Sequence, residues 1–176
     1  SHGYIFIHRI ASKTEYPVWL VDHPRILQRE GAPYLDAAGE GWPDNDVRFA
    51  AFAEAIVALA EGQWQGVGGG KPFDLVHCND WQTGLVPALL KKSGSRIPTV
   101  FTIHNLAYQG LFAYESMHRL HLPEDLWSTD GVEFHGQVSF MKSGIYFADQ
   151  ITTVSPHYAE EIKTETFGCG LEGLLK

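Results

Sequence analysis

The sequence predicts an α/β fold built on a mostly parallel sheet with helices on both faces. Three observations carry that reading. From Pro17 onward, strand-like and helix-like stretches alternate strictly, the pattern of that architecture. The run Thr99-Val100-Phe101-Thr102-Ile103 is β-branched and aromatic without clean alternation, as expected of a strand buried on both faces. It turns polar in one step, at His104-Asn105, and ligands in open α/β sheets sit outside the carboxyl ends of the strands.

The elements follow in order. Tyr4 to Ile10 and Pro17 to Val21 read as two strands joined through 11–16, a hairpin. Gln28 to Trp42 holds three glycines and a proline and reads as a surface loop. Pro43-Asp44-Asn45 starts a helix, with Asp44 or Asn45 as cap. Phe49, Phe52, Ile56 and Leu59 share one of its faces, and Gly62 ends it. Gly66 to Gly70 is a loop, not a phosphate loop, because it precedes a strand and lacks the required pattern. Phe73 to His77 is the next strand, Cys78 to Trp81 a turn, and Gln82 to Lys92 a helix closed at Gly94. After the Thr99 strand, Leu106 to Glu133 reads as a long irregular segment, a length that is more often functional than idle. A helix over 136–147, a strand over 150–154 and a helix capped by Ser155, with Pro156 at its first position, complete the chain.

Composition excludes several classes. At 176 residues the chain is one domain with enough material for a core. A formal charge of −8 without basic blocks argues against nucleic acid. No apolar run reaches the length of a membrane span, and no signal-peptide pattern opens the chain. Cys78 and Cys169 form no disulfide framework, so both are expected reduced, in a cytoplasmic-type compartment.

Three strand ends deliver polar groups to one sheet edge: Asn79-Asp80, His104-Asn105 and Ser155. Asp80 and His104 are one strand–helix–strand step apart, a spacing that allows neighbouring strands. Each has a plainer reading beside the functional one. Asp80 also suits the cap of the following helix, and His104 a satisfied structural histidine. His118 and His121 have the spacing of a metal pair without an evident third ligand, so no metal site is assigned. Tyr34, Trp42 and Tyr108 are candidates to stack on a ligand, with packing the alternative use of each; Trp127, Tyr146 and Phe147 read as core.

At this point the residues resemble a known family. His77-Cys78-Asn79-Asp80-Trp81-Gln82-Thr83-Gly84-Leu85 is similar to its His-x-x-Asp-Trp-x-x-Gly-Leu motif. Thr102 to Gly110 is similar to its Thr-Val/Ile-His-Asn-Leu-Ala-Tyr-Gln-Gly motif. Asp44-Asn45 with Arg48-Phe49, the stretch 131–148, Thr153 to Pro156 and the tail Gly168 to Leu175 fit as well. The family is that of the bacterial glycogen synthases and plant starch synthases, and the resemblance runs along essentially the whole chain.

The resemblance implies a Rossmann-like, doubly wound domain, one of two facing domains in a GT-B glycosyltransferase. It implies transfer of glucose from ADP-glucose to the non-reducing end of an α-1,4-glucan, with retention of configuration. The location implied is the cytoplasm, or the plastid in a plant. Family members run to about three domain-lengths. The chain therefore reads as part of the amino-terminal, acceptor-side domain, lacking the first strand with its Lys-x-Gly-Gly-Leu loop and the nucleotide-binding second domain. It would be a cloned fragment or a truncated reading frame, inactive alone. By the same implication His104 and Asp80 are catalytic, and Asn105, Asp80, His104 and Tyr34 bind substrate. His104 would offer its carbonyl to the anomeric centre and its ring to a hydroxyl. The family is usually read as front-face attack without a covalent intermediate on Asp80, and without cofactor or metal. A missing central strand predicts an open sheet edge, filled by the Tyr4–Ile10 strand or by a second copy in a homodimer. Two other classes stand beside this one: a non-catalytic glucan-binding module, and an α/β metallohydrolase using His77, Asp80 and His104.

Overall fold

The computed structural model describes residues 4–11 and 15–176, so part of the connection expected between the first two strands lies outside the described residues. In chain order the elements are β1 (Phe6–Ile10), β2 (Val18–Asp22), α1 (Asn45–Ala60), β3 (Val76–Asn79), α2 (Leu85–Lys92), β4 (Thr99–Ile103) and β5 (Leu111–Ala113). Then come α3 (Glu115–Arg119), β6 (Glu133–Phe134), β7 (Gln137–Ser139), α4 (Phe140–Phe147), β8 (Gln150–Thr153), α5 (Pro156–Glu161) and α6 (Glu172–Leu175).

The centre is a parallel sheet in the order β3-β4-β8. Side chains alternate across its pleat. Cys78, Phe101 and Ile103 point to one face and are buried, and Phe101 packs on α4 at Gly144. Helix α2 lies against α4 on one side and α1 on the other. The other face departs from the expectation of helices on both sides. It carries His77, Asn79, Thr102 and Thr152, which are exposed or half-exposed. Three of these groups bond to one another instead: His77 Nε2 lies 2.6 Å from Thr102 Oγ1, which lies 2.6 Å from Thr152 Oγ1.

The Tyr4–Ile10 strand does not fill the sheet edge, contrary to one of the two expectations. β1 pairs with β2 in an antiparallel hairpin, from Phe6↔Asp22 to Ile10↔Val18, and forms a separate two-stranded sheet. Among the described residues, β3 and β8 remain the edges of the parallel sheet.

The stretch expected to be irregular is instead organised around a small antiparallel sheet, β5-β7-β6. Strict alternation fails here for the same reason: three short strands intervene between β4 and α4. The helix expected over 136–147 begins only at Phe140, because 137–139 are paired with β5 and β6. Ser139 then caps it, its Oγ accepting from the Lys142 N–H at 3.1 Å. β3 starts at Val76 rather than Phe73, and Phe73 and Leu75 are exposed.

Helix α1 also packs differently from its hydrophobic pattern. Ala50, Ala51, Ala53, Ala55 and Ala60 are buried, whereas Phe49, Phe52, Ile56 and Leu59 are half-buried. Small side chains bring α1 close to its neighbours, and the large ones rim the contact. Asp46, on the same helix and fully buried, accepts from Ser116 Oγ at 2.7 Å and from Arg119 Nε at 2.9 Å, tying α1 to α3. Asp149 anchors the start of β4 by accepting from the Thr99 N–H and Oγ1; the backbone bond is the main cause that holds its carboxyl below the usual range.

Both cysteines are free, as expected. Burial pushes the Cys78 thiol up to about 12, which makes it inert, while Cys169 is exposed. Tyr146, expected in the core, is 40 % exposed at the end of α4. No helix among the described residues is long and apolar enough to cross a membrane.

Candidate active site

The carboxyl ends of β3 and β4 are bound together by one carboxylate. Asp80 follows β3, and its Oδ1 accepts from the His104 N–H at 2.7 Å and from the Asn105 N–H at 3.4 Å. The reading of Asp80 as a helix cap is thereby corrected, since its side chain makes no capping bond to the 3-10 turn Trp81–Thr83 that follows. Its backbone, at φ 55° and ψ −177°, lies in a region that L-residues other than glycine rarely occupy. Such a conformation costs about 1–3 kcal/mol and persists where surrounding bonds over-determine it. Here Thr83 Oγ1 takes the Asn79 N–H at 2.7 Å, and the Asp80 N–H continues the ladder to Thr102 O at 3.0 Å.

His104 is exposed, and its ring Nε2 lies 2.9 Å from Asn79 Oδ1. Asn79 is therefore a site residue that the sequence reading noted at a strand end without assigning it a role. Asn105 does not reach the His104 ring; its Oδ1 accepts from the Ala107 N–H at 3.0 Å and shapes the turn. Tyr158 of α5 holds the same turn from behind, accepting the Leu106 N–H at 2.9 Å. Ser155, at the end of β8, is spent on capping α5 through the Tyr158 N–H and does not join the cluster.

These groups form the floor of an open cleft of about 910 Å³ whose lining includes Tyr34, Phe49, Asn79, Asp80 and His104. A second cavity of about 520 Å³ adjoins it, lined by Tyr34, Asp80, Trp81, Asn105 and Tyr108 among others. Tyr34 and Asp80 line both. The Tyr34 ring centroid is 6.0 Å from those of Phe49 and Trp81, and Phe49 meets Trp81 edge-on at 4.7 Å. An aromatic wall facing a carboxylate, an amide and an imidazole suits a polyhydroxylated ligand: flat faces against rings, hydroxyls on polar groups.

The other candidates lie elsewhere. His118 packs edge-on against Tyr114, and no group of three His, Cys, Asp or Glu side chains among the described residues is arranged to hold a metal. His77 sits within β3 on the open sheet face. Trp42 packs beneath Arg29, whose guanidinium is 5.0 Å from its ring.

A parallel sheet whose joined strand ends floor an aromatic-walled cleft defines a ligand-binding α/β domain of the Rossmann-like class. The family model described as "starch synthase catalytic domain" matches residues 3–176, and the chain belongs to that family. Glycogen synthase 1 of Methylococcus capsulatus is 55% identical over 163 residues, which are 93% of this chain and 32% of that protein. Glycogen synthase 1 of Bradyrhizobium diazoefficiens is 49% identical, over 96% of this chain and 36% of its own length. The solved catalytic domain of starch synthase IV from Arabidopsis thaliana, bound to ADP and acarbose, superposes with a TM-score of 0.77 at 29% identity. That match covers 97% of this chain and 34% of the other. The chain thus spans about a third of the length of the relatives it matches, and its parallel sheet with its helices corresponds to part of the Arabidopsis domain's α/β fold.

Proposed function

We propose that the chain supplies the acceptor side of a retaining hexosyltransferase, which moves glucose from ADP-glucose to the non-reducing end of an α-1,4-glucan. The observation that carries this reading is the Asp80–His104 junction at the cleft floor, in a member of the starch synthase family. The names of the relatives and the ADP and acarbose bound to the Arabidopsis domain support the donor and acceptor classes. As ADP departs with the anomeric C–O bond, the sugar gains oxocarbenium character and is stabilised by dipoles already oriented around it. His104 supplies its carbonyl and ring, and Asp80 and Asn105 receive sugar hydroxyls. One Asp80 oxygen is committed to the His104 backbone, which fits a positioning role better than covalent attack. Tyr34 stacks on a glucan ring. The setting that suits this chemistry is the cytoplasm, or a plastid in a plant.

The groups that hold the diphosphate lie, on this reading, outside the 176 residues, in the facing domain. The full-length enzyme is expected to incorporate labelled glucose from ADP-glucose into glycogen as new α-1,4 linkages, and residues 1–176 alone to incorporate none. Incorporation that depends on the isolated chain refutes the division of labour. A full-length protein that binds glucan without turnover supports a glucan-binding module instead, the reading that the aromatic wall alone would favour. The free edges of β3 and β8 support association of the isolated chain with a second copy. Sedimentation of that preparation should show a concentration-dependent dimer, and a monomer at all concentrations rejects it.

A further inference from the structure

Between β2 and α1 the chain runs from His23 to Asp44, held among the described residues by the isolated bridge Leu35↔Gly41 and a few turn bonds, among them the Trp42 N–H to Tyr34 O at 3.2 Å. This stretch carries Tyr34 and forms one wall of the cleft. The Ile26 and Pro33 carbonyls take none of these bonds and need donors from elsewhere. Arg48, in the first turns of α1 and 5% exposed, supplies them. Its Nε donates to Ile26 O at 2.7 Å, and its Nη1 donates to Pro33 O at 2.9 Å and to Asn45 Oδ1 at 2.6 Å. Asn45 Nδ2 passes the hold on to Tyr34 O at 3.1 Å. The guanidinium also lies 5.5 Å from the Phe49 ring centroid and 6.0 Å from that of Trp42. Arg29 and Asp44 close the base of the loop through two bonds, at 2.7 and 2.5 Å.

A buried cation is costly unless its donors are used. Arg48 uses its donors on the two ends of 26–33 and on the residue that holds Tyr34. We propose that Arg48 is a positioning residue for acceptor binding: it locks the 26–34 wall so that Tyr34 stands opposite Trp81, without touching the reacting atoms. Residue 34 follows directly on the carbonyl that Arg48 binds, so the clamp fixes the backbone from which its ring projects. Lysine cannot replace it, because one ammonium does not span acceptors that a planar fork reaches together.

This inference rests on the glucosyltransferase reading, and the test separates the two. In the full-length enzyme, R48K is expected to raise the glucan KM about tenfold, the value of one lost charge-assisted hydrogen bond. The change should fall on glucan KM rather than on ADP-glucose KM or kcat. Amide hydrogen exchange should quicken across 24–44 and stay slow in β4 and α2. Tyr34→Ala should raise the glucan KM by itself, and adding R48K to it should cost little more, since both act through the same ring. An unchanged glucan KM, additive effects, or protection lost across the whole sheet each overturn the proposal. If the wild-type full-length enzyme transfers no glucose, the functional reading fails. Exchange then decides the clamp, and unchanged exchange over 24–44 in R48K rejects it.

Discussion

Replacing His104 by alanine in the full-length enzyme is expected to cut turnover about 10²–10³-fold, the usual loss for one preorganised contact to a charged transition state. The KM for ADP-glucose should change far less, because in the proposed function His104 faces the acceptor and the reacting carbon rather than the diphosphate. The variant is a clean test. The imidazole is exposed, and the bond that joins the two strand ends uses the His104 backbone N–H, which alanine keeps. Loss of the ring removes only its contact with Asn79 Oδ1 from the described hydrogen bonds. Near-normal kcat in folded H104A protein would remove His104 from the chemistry.

Gly84→Ala is expected to abolish folding or nearly so. A Cβ at residue 84 would stand 1.9 Å from Phe140 O and 2.6 Å from Phe140 C, both backbone atoms. Gly84 has an ordinary helical φ of −64°, so crowding and not conformation demands glycine. The start of α2 touches the start of α4 at this point, and relief requires the two helices to part. Overpacking usually costs about 1–3 kcal/mol where side chains can adjust, and more where a backbone must move. Against a domain stability of about 5–15 kcal/mol, the loss should be evident as a large drop in the urea midpoint. A midpoint close to wild type would show that α2 and α4 slide apart easily.

The parts of this molecule legible in sequence are those whose signal is local. β4 could be read from its β-branched run and its ending from His104-Asn105; both stand where expected. The Ser155-Pro156 start of α5 was legible for the same reason, since a cap and a first-turn proline act within four residues. Three-residue strands such as β5 and β7 carry no period, and their pairing depends on residues over twenty positions apart. The alanine stripe of α1 was hidden by larger side chains at helical spacing beside it. In the site, Asp80 and His104 could be placed on adjacent strands by topology. The bond between them could not, because the alternative of a helix cap costs the carboxylate nothing locally. Arg48 fitted the family resemblance, but nothing local pointed to its role: its acceptors at Ile26 and Pro33 belong to a loop without pattern.

The bonded row across the open face of the parallel sheet has a consequence of its own. Thr102 has a single hydroxyl hydrogen, and its neighbours on both sides are at hydrogen-bond distance. If it donates toward Thr152, it must receive from His77, whose Nε2 then carries the hydrogen. If Nε2 is bare, Thr102 donates to it and must receive from Thr152. A bare ring nitrogen on β3 therefore dictates the rotor of a hydroxyl on β8, two strands away, through the one hydrogen on Thr102.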